Sequence, residues 1–232
     1  MESKIPFTSY DFWAYLSAGF LLLFAADYVA GTEVFARSSW TLVQGIVLVS
    51  GAYALGQIVA SAAALLLERG LVEQLLGAPR NVLFGRPRAW RWVRRLLPGY
   101  FRGLPDEVRQ SILSRGRALG IDSPGEALFW AAFQHARTTP VVMARLDNFL
   151  NLYGFCRNTA LVALVDGALL CGAYRWGEHP ITTLYWGWAA FLLAGGMVLR
   201  YLKFYRHYAV EVFTSFAYAP APAPAPHETA KG

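Results

Sequence analysis

Asp166 is an acid in the middle of an apolar stretch, Thr159 to Tyr174. An ionisable group near a bilayer centre is costly unless it is paired or wetted. Its chemistry is therefore that of a water-lined path or of a protonated, hydrogen-bonded interior group. Gln57, Ser50 and Ser61 of another apolar stretch, with Tyr15 and Ser17 of a third, are the groups expected to face it.

A second set is cationic. In RPRAWRWVRRLLPGYFR, Arg86, Arg88, Arg91, Arg94 and Arg95 are interleaved with Trp90 and Trp92. Guanidinium groups pair with phosphates while indole rings settle in the head-group layer, which is how a basic aromatic segment lies on anionic lipid. The same residues suit nucleic acid, with arginine on phosphate and tryptophan stacked on bases. A neighbouring membrane span favours lipid.

A third set is a polar stripe. Asp147, Asn151, Gly154 and Asn158 recur at i, i+4, i+7, i+11 and so share one face of a helix, flanked by Arg145 and Arg157. Arg200 and His207 lie on a following helix. The stripe reads either as a face for a partner helix or ligand, or as a hydrogen-bonded seam inside the chain. The Arg-x6-His spacing of Arg200 and His207 resembles that of HEPN-type ribonucleases, although Tyr201 stands where those enzymes usually carry a polar residue. It implies, as one alternative, an enzyme at the membrane interface acting on lipid or nucleic acid.

The elements that position these groups follow from composition. The chain has 232 residues, 56% hydrophobic and 16% charged, with a mean hydropathy of +0.34. Soluble domains carry about 25% charged residues. The aromatic content excludes disorder as the main state, and two cysteines exclude a disulfide scaffold. Cys156 and Cys171, about 22 Å apart along one helix, cannot bridge.

Four stretches are expected to span a membrane: about 12–30, 40–67, 159–174 and 181–199. The third is the weakest by hydropathy, because it is short and holds Asp166. The expected fold is all-α, a polytopic membrane protein with a cytoplasmic helical domain inserted between the second and third spans. Residues 1–67 form the first hairpin, 68–157 the basic domain, 158–216 the second hairpin with an amphipathic juxtamembrane extension, and 217–232 an Ala-Pro-rich tail of extended, spacer character.

Charge sets orientation. Residues 68–157 hold fourteen arginines against seven acids, a net of +7, while the remaining seven basic and eight acidic residues net −1. Lys4 precedes the first span, and Arg200, Lys203 and Arg206 follow the fourth. By the positive-inside rule, both termini and the central domain are cytoplasmic, as at a bacterial inner membrane.

Within the domain, Pro105, Asp106 and Glu107 open a helix that Gly120 stops, and Ser123, Pro124 and Glu126 read as a capping box for the next. Pro140 starts a helix that runs through the third span. Ala52, Gly56, Ala60 and Ala64 form a small-residue ridge for close helix packing, within the chain or between copies. A homo-oligomer is expected.

Phosphate loops, nucleophile elbows and metal-ligand spacings are absent, so no metal or cofactor is expected. The functional reading is a non-enzymatic membrane protein whose arginine-rich domain docks a cytoplasmic protein partner or senses a signal at anionic head groups. The alternative is a channel or membrane-permeabilising effector with Asp166 lining a polar path.

Overall fold

The computed structural model describes residues 11–177 and 179–218, with side chains from residue 14 onward. Lys4, Tyr10, the Trp13 side chain and the Ala-Pro spacer with its tail lie outside the described residues. Among the described residues every regular element is helical. These are α1 (Ser17–Ala30), entered through a π-type turn over Asp11–Leu16, and α2 (Leu42–Ala63), which continues in wider π winding over Ala64–Leu76. Five shorter helices follow: α3 (Pro79–Val82), α4 (Arg91–Leu96), α5 (Pro98–Phe101), α6 (Asp106–Ala118) and α7 (Glu126–Arg137). Two long ones, α8 (Pro140–Trp176) and α9 (Ile181–Ala217), close the described chain.

Three helical stretches are long and apolar enough to cross a membrane, Leu42–Val82, Pro140–Trp176 and Ile181–Ala217, not the four expected. The stretch expected to span first is a shorter apolar helix, Ala14–Ala30. It rises about 26 Å, just short of a hydrocarbon core of about 30 Å. Its end is sharp for a local reason. Gly31 sits at φ +63°, and its N–H returns to the Asp27 and Tyr28 carbonyls. The Asp27 carboxylate then accepts from Thr32 Oγ1, Val34 N at 2.8 Å and Phe35 N at 3.1 Å. Asp27 thus organises the connection to α2. Thr41 begins α2 with a reciprocal capping box, its hydroxyl accepting from Gln44 N and its own N–H donating to the Gln44 side chain.

The stretch that was weakest by hydropathy is the centre of the bundle. α8 is one 37-residue helix, about 55 Å long. It packs against α9 along its length and also against α1 and α2. α1 and α2 meet through small residues. A Cβ at Gly19 would collide with the Ala52 carbonyl, and one at Gly56 with the Tyr15 carbonyl. Backbones that close exclude any side chain, the geometry small-xxx-small ridges permit. At the opposite end of α1, Tyr28 Oη lies 2.8 Å from Thr183 Oγ1, joining α1 to the start of α9.

Two cores lie beyond the apolar stretches. Tyr100, Val72, Cys156, Tyr201 and Leu202 bury together where α2, α5, α8 and α9 converge. Farther out, Ile112 of α6 and Leu128 and Ala132 of α7 pack with Val142 and Leu146 of α8 and with Val212, Phe213 and Phe216 of α9. The extension after the fourth apolar stretch is therefore a core helix of the basic region. α6 begins at Asp106 beside Pro105, and Gly120, at φ +76°, follows its end. α7 begins at Glu126 with Gly125 as its cap residue and no side-chain cap bond, so Ser123 does not form the expected capping box.

Candidate functional site

The arginine cluster divides into two groups with different work. Arg86 donates from Nη1 to the Pro124 carbonyl at 3.2 Å, and Arg88 donates from Nη1 to the Glu73 carbonyl at 2.9 Å. Both pin the strap formed by α4 and α5 to its surroundings. Gly77 makes this possible: it stands at φ +94° with Arg88 N so near that a Cβ would lie 3.0 Å from it. Tyr100 reinforces the turn from the other side, its buried hydroxyl donating to the Gly77 carbonyl at 2.8 Å, and burial raises its pKa above the usual phenol value.

Arg91, Arg94 and Arg95 remain exposed on α4. With Pro98 and Phe101 they line an open cleft of about 420 Å³, and none of them is in a salt bridge to an acid of the described residues. Trp90 and Trp92 stand beside them, 72% and 58% exposed, with ring centroids 6.3 Å apart. Three guanidinium groups and two indole rings thus share a six-residue helix and the residue before it. The helix lies alongside the point on α9 where apolar residues give way to charged ones, since Val93, Leu96 and Leu97 share a groove with Val198, Leu199 and Leu202.

The polar stripe on α8 is broken up by its neighbours. Asp147 is exposed and Asn151 half-buried, while Asn158 is fully buried. Asn158 donates from Nδ2 to the Ala14 carbonyl at 3.0 Å. Arg157 donates from Nη1 to Glu68 Oε2 at 2.6 Å, its side chain only 10% exposed, and from Nε to Asn158 Oδ1 at 3.3 Å. Tyr205 Oη completes the network on Glu68 Oε1 at 3.4 Å. The seam therefore joins the entry to α1, the continuation of α2, and helices α8 and α9. Farther along, Arg145 pairs with Glu211 of α9 at 3.1 Å.

Arg200 and His207 engage different partners. The Arg200 guanidinium lies 5.2 Å from the Phe204 ring centroid. His207 places Nδ1 2.6 Å from the Lys203 carbonyl and its ring 5.9 Å from that of Phe149.

Asp166 is buried on α8, and its Oδ1 has no hydrogen-bond partner within the protein. Gln57 donates to Tyr53 Oη at 3.0 Å and Ser61 to the Gln57 carbonyl at 3.0 Å, both within α2. Ser50 faces outward. Ala52, Gly56 and Ala60 are buried and Ala64 half-buried. Ala52 meets Gly19 of α1, and Gly56 meets Tyr15 in the turn that enters it. Gly195 and Gly196 have open space beside them.

Lys203, Arg206 and Glu68 complete the charged surroundings, and the bridging role of Glu68 also had a signal in the sequence. Glu68 is the first charge after one apolar stretch and Arg157 the last before another. Among the described residues no group of three or more His, Cys, Asp or Glu side chains could hold a metal ion. The long apolar helices are compatible with an integral membrane protein. No protein family, curated protein or solved structure matches this chain.

Proposed function

We propose that the chain is a four-span, non-enzymatic membrane protein whose arginine-rich domain, inserted between the second and third spans, engages anionic head groups on the cytoplasmic side. In this reading it relays their presence to a cytoplasmic partner. The observation that carries the reading is the exposure of Arg91, Arg94 and Arg95 without acidic partners, beside Trp90 and Trp92, next to the inner end of α9's apolar stretch.

Packing supports the topology. α6 and α7 bury their apolar faces with the start of α8 and the end of α9, which supports those two ends lying on one side of a bilayer. α8 and α9 then cross as a hairpin. The continuation of α2 packs with Cys156 of α8 and Tyr201 of α9, which brings its end to the same side. α1 is the shorter apolar helix, and its place beside α2 and α8 supports counting it as the fourth span. The charge distribution makes this side the cytoplasm.

A homo-oligomer would meet on the outward faces of α2 and α9. There Val43, Ile46, Trp186 and Leu192 are exposed and Gly195 and Gly196 are open. One observation favours the channel alternative, the unpartnered buried Oδ1 of Asp166.

Hydrogen exchange of the full chain in nanodiscs tests the surface reading. Amides of residues 86–102 should exchange more slowly when phosphatidylglycerol is added to phosphatidylcholine, the difference should shrink at high salt, and a variant with Arg91, Arg94 and Arg95 all changed to Gln should lose it. Equal exchange in both lipids would remove the proposal.

A further inference from the structure

We propose that the α4–α5 strap holds one anionic phospholipid, with an acyl chain in the apolar groove beneath it and the phosphate beside Lys203 and Arg206. The proposal rests on the reading above that the end of α9's apolar stretch marks the inner membrane boundary, and it names a discrete ligand for that surface.

Two cavities meet under the strap. The first is an apolar groove of about 570 Å³ between the continuation of α2, α4 and α9, with Leu71, Leu75, Trp92 and Val93 among its walls. The second, about 360 Å³, runs past Pro98 and Gly99 and has Lys203, Arg206 and His207 along one side. Leu96, Leu97, Leu199 and Leu202 line both. A hydrocarbon chain leaving the groove therefore emerges beside two cations and an imidazole. No acid lines either cavity.

α9 builds this gradient on a single face. Leu199, Leu202, Lys203 and Arg206 stand at i, i+3, i+4, i+7, so one helical stripe changes from apolar to cationic within two turns. That change matches the shape of a lipid, whose chain and phosphate are joined over a similar distance. A peptide would not need it at this level.

Arg206 supplies the pointer to an anion. Its Nη2 donates to the Arg102 carbonyl at 2.8 Å, while its Nε is buried with no hydrogen-bond partner within the protein. A buried guanidinium donor without an acceptor is costly. A phosphate in the adjoining cavity offers the opposite charge to the guanidinium that lines it, and acceptor oxygens for its accessible edge. Arg91, Arg94 and Arg95 lie in a separate cleft that shares Pro98 with this one, and they are left to face the wider lipid surface.

Native mass spectrometry of the full chain, released from nanodiscs of phosphatidylcholine and phosphatidylglycerol, tests the proposal. One phosphatidylglycerol should stay bound through detergent exchange. Lys203→Gln with Arg206→Gln should lower that retention by about tenfold or more, the loss of charge-assisted hydrogen bonds. Leu75→Trp, which narrows the groove from an exposed position and leaves every charge in place, should lower it as well and keeps the proposal falsifiable if the charge variant does not fold. Millimolar inorganic phosphate should not displace the lipid. Undiminished retention in the folded variants, equal retention of phosphatidylcholine, or displacement by inorganic phosphate would each overturn it. The last outcome would mean an anion site without a lipid. The variants separate this proposal from the surface reading: changing Arg91, Arg94 and Arg95 to Gln removes charges from the separate cleft and should leave lipid retention intact, whereas Lys203→Gln with Arg206→Gln should lower retention and leave the arginine-dependent exchange difference in place.

Discussion

Arg157 of α8 and Glu68 at the end of α2's apolar stretch form a part-buried ion pair at 2.6 Å, with only the Arg157 side chain close to full burial, and Asn158 and Tyr205 extend it to the entry of α1 and to α9. Removing one member of a buried pair leaves an uncompensated charge. Arg157→Met should therefore lower stability by about 3 kcal/mol. Arg157→Met with Glu68→Leu should lose less than the two single changes together. Thermal unfolding of the full chain in detergent measures both, and strict additivity would count against a coupled network.

Gly56→Leu should cost about 1–3 kcal/mol, because the Tyr15 carbonyl occupies the space a side chain needs and an overpacked contact must shift. Gly51→Leu, where nothing lies within 4 Å, should be close to neutral. Comparing the two unfolding temperatures separates a clash from a general effect of removing glycine from α2.

Phe213→Ala should cost about 3–5 kcal/mol. Phe213 is fully buried, with the Phe84 ring at 5.0 Å and the Phe129 ring at 5.8 Å. Proteolysis should open the loops among α3, α6 and α7 first. A harmless Phe213→Ala would mean that the end of α9 lies on the membrane instead of in the domain core.

Asp166→Ala should leave ion flux through reconstituted liposomes at the background that the wild type shows. Flux present in the wild type and lost in an assembled Asp166→Ala protein would favour the channel alternative.

Much of this architecture was legible where one local rule sufficed. Pro140 marks the start of α8, Gly120 follows the end of α6, and 28 uncharged residues announce α2. Local pattern was ambiguous where two rules competed. Asp27 is an acid near a helix end whose three acceptor bonds shape the following loop, a role set by chain geometry beyond the helix. Thr41 and Gln44 form a capping box, whereas Ser123 and Glu126 have the same spacing without forming one. Pattern alone does not say where a helix begins. The arginine cluster was visible as a cluster, but its division was not. Whether an arginine meets a backbone carbonyl or solvent depends on the Gly77 turn and on the distant loop that presents Pro124.

The basic domain is proposed to lie on the cytoplasmic side of the membrane. In a background with Cys156→Ser and Cys171→Ala, single cysteines at exposed Gln110 on α6 and exposed Ser38 in the loop before α2 can be tested with an impermeant maleimide in intact and in permeabilised cells. Cys at 38 should label in intact cells and Cys at 110 only after permeabilisation. Labelling at 110 in intact cells, or at 38 only after permeabilisation, would contradict the account.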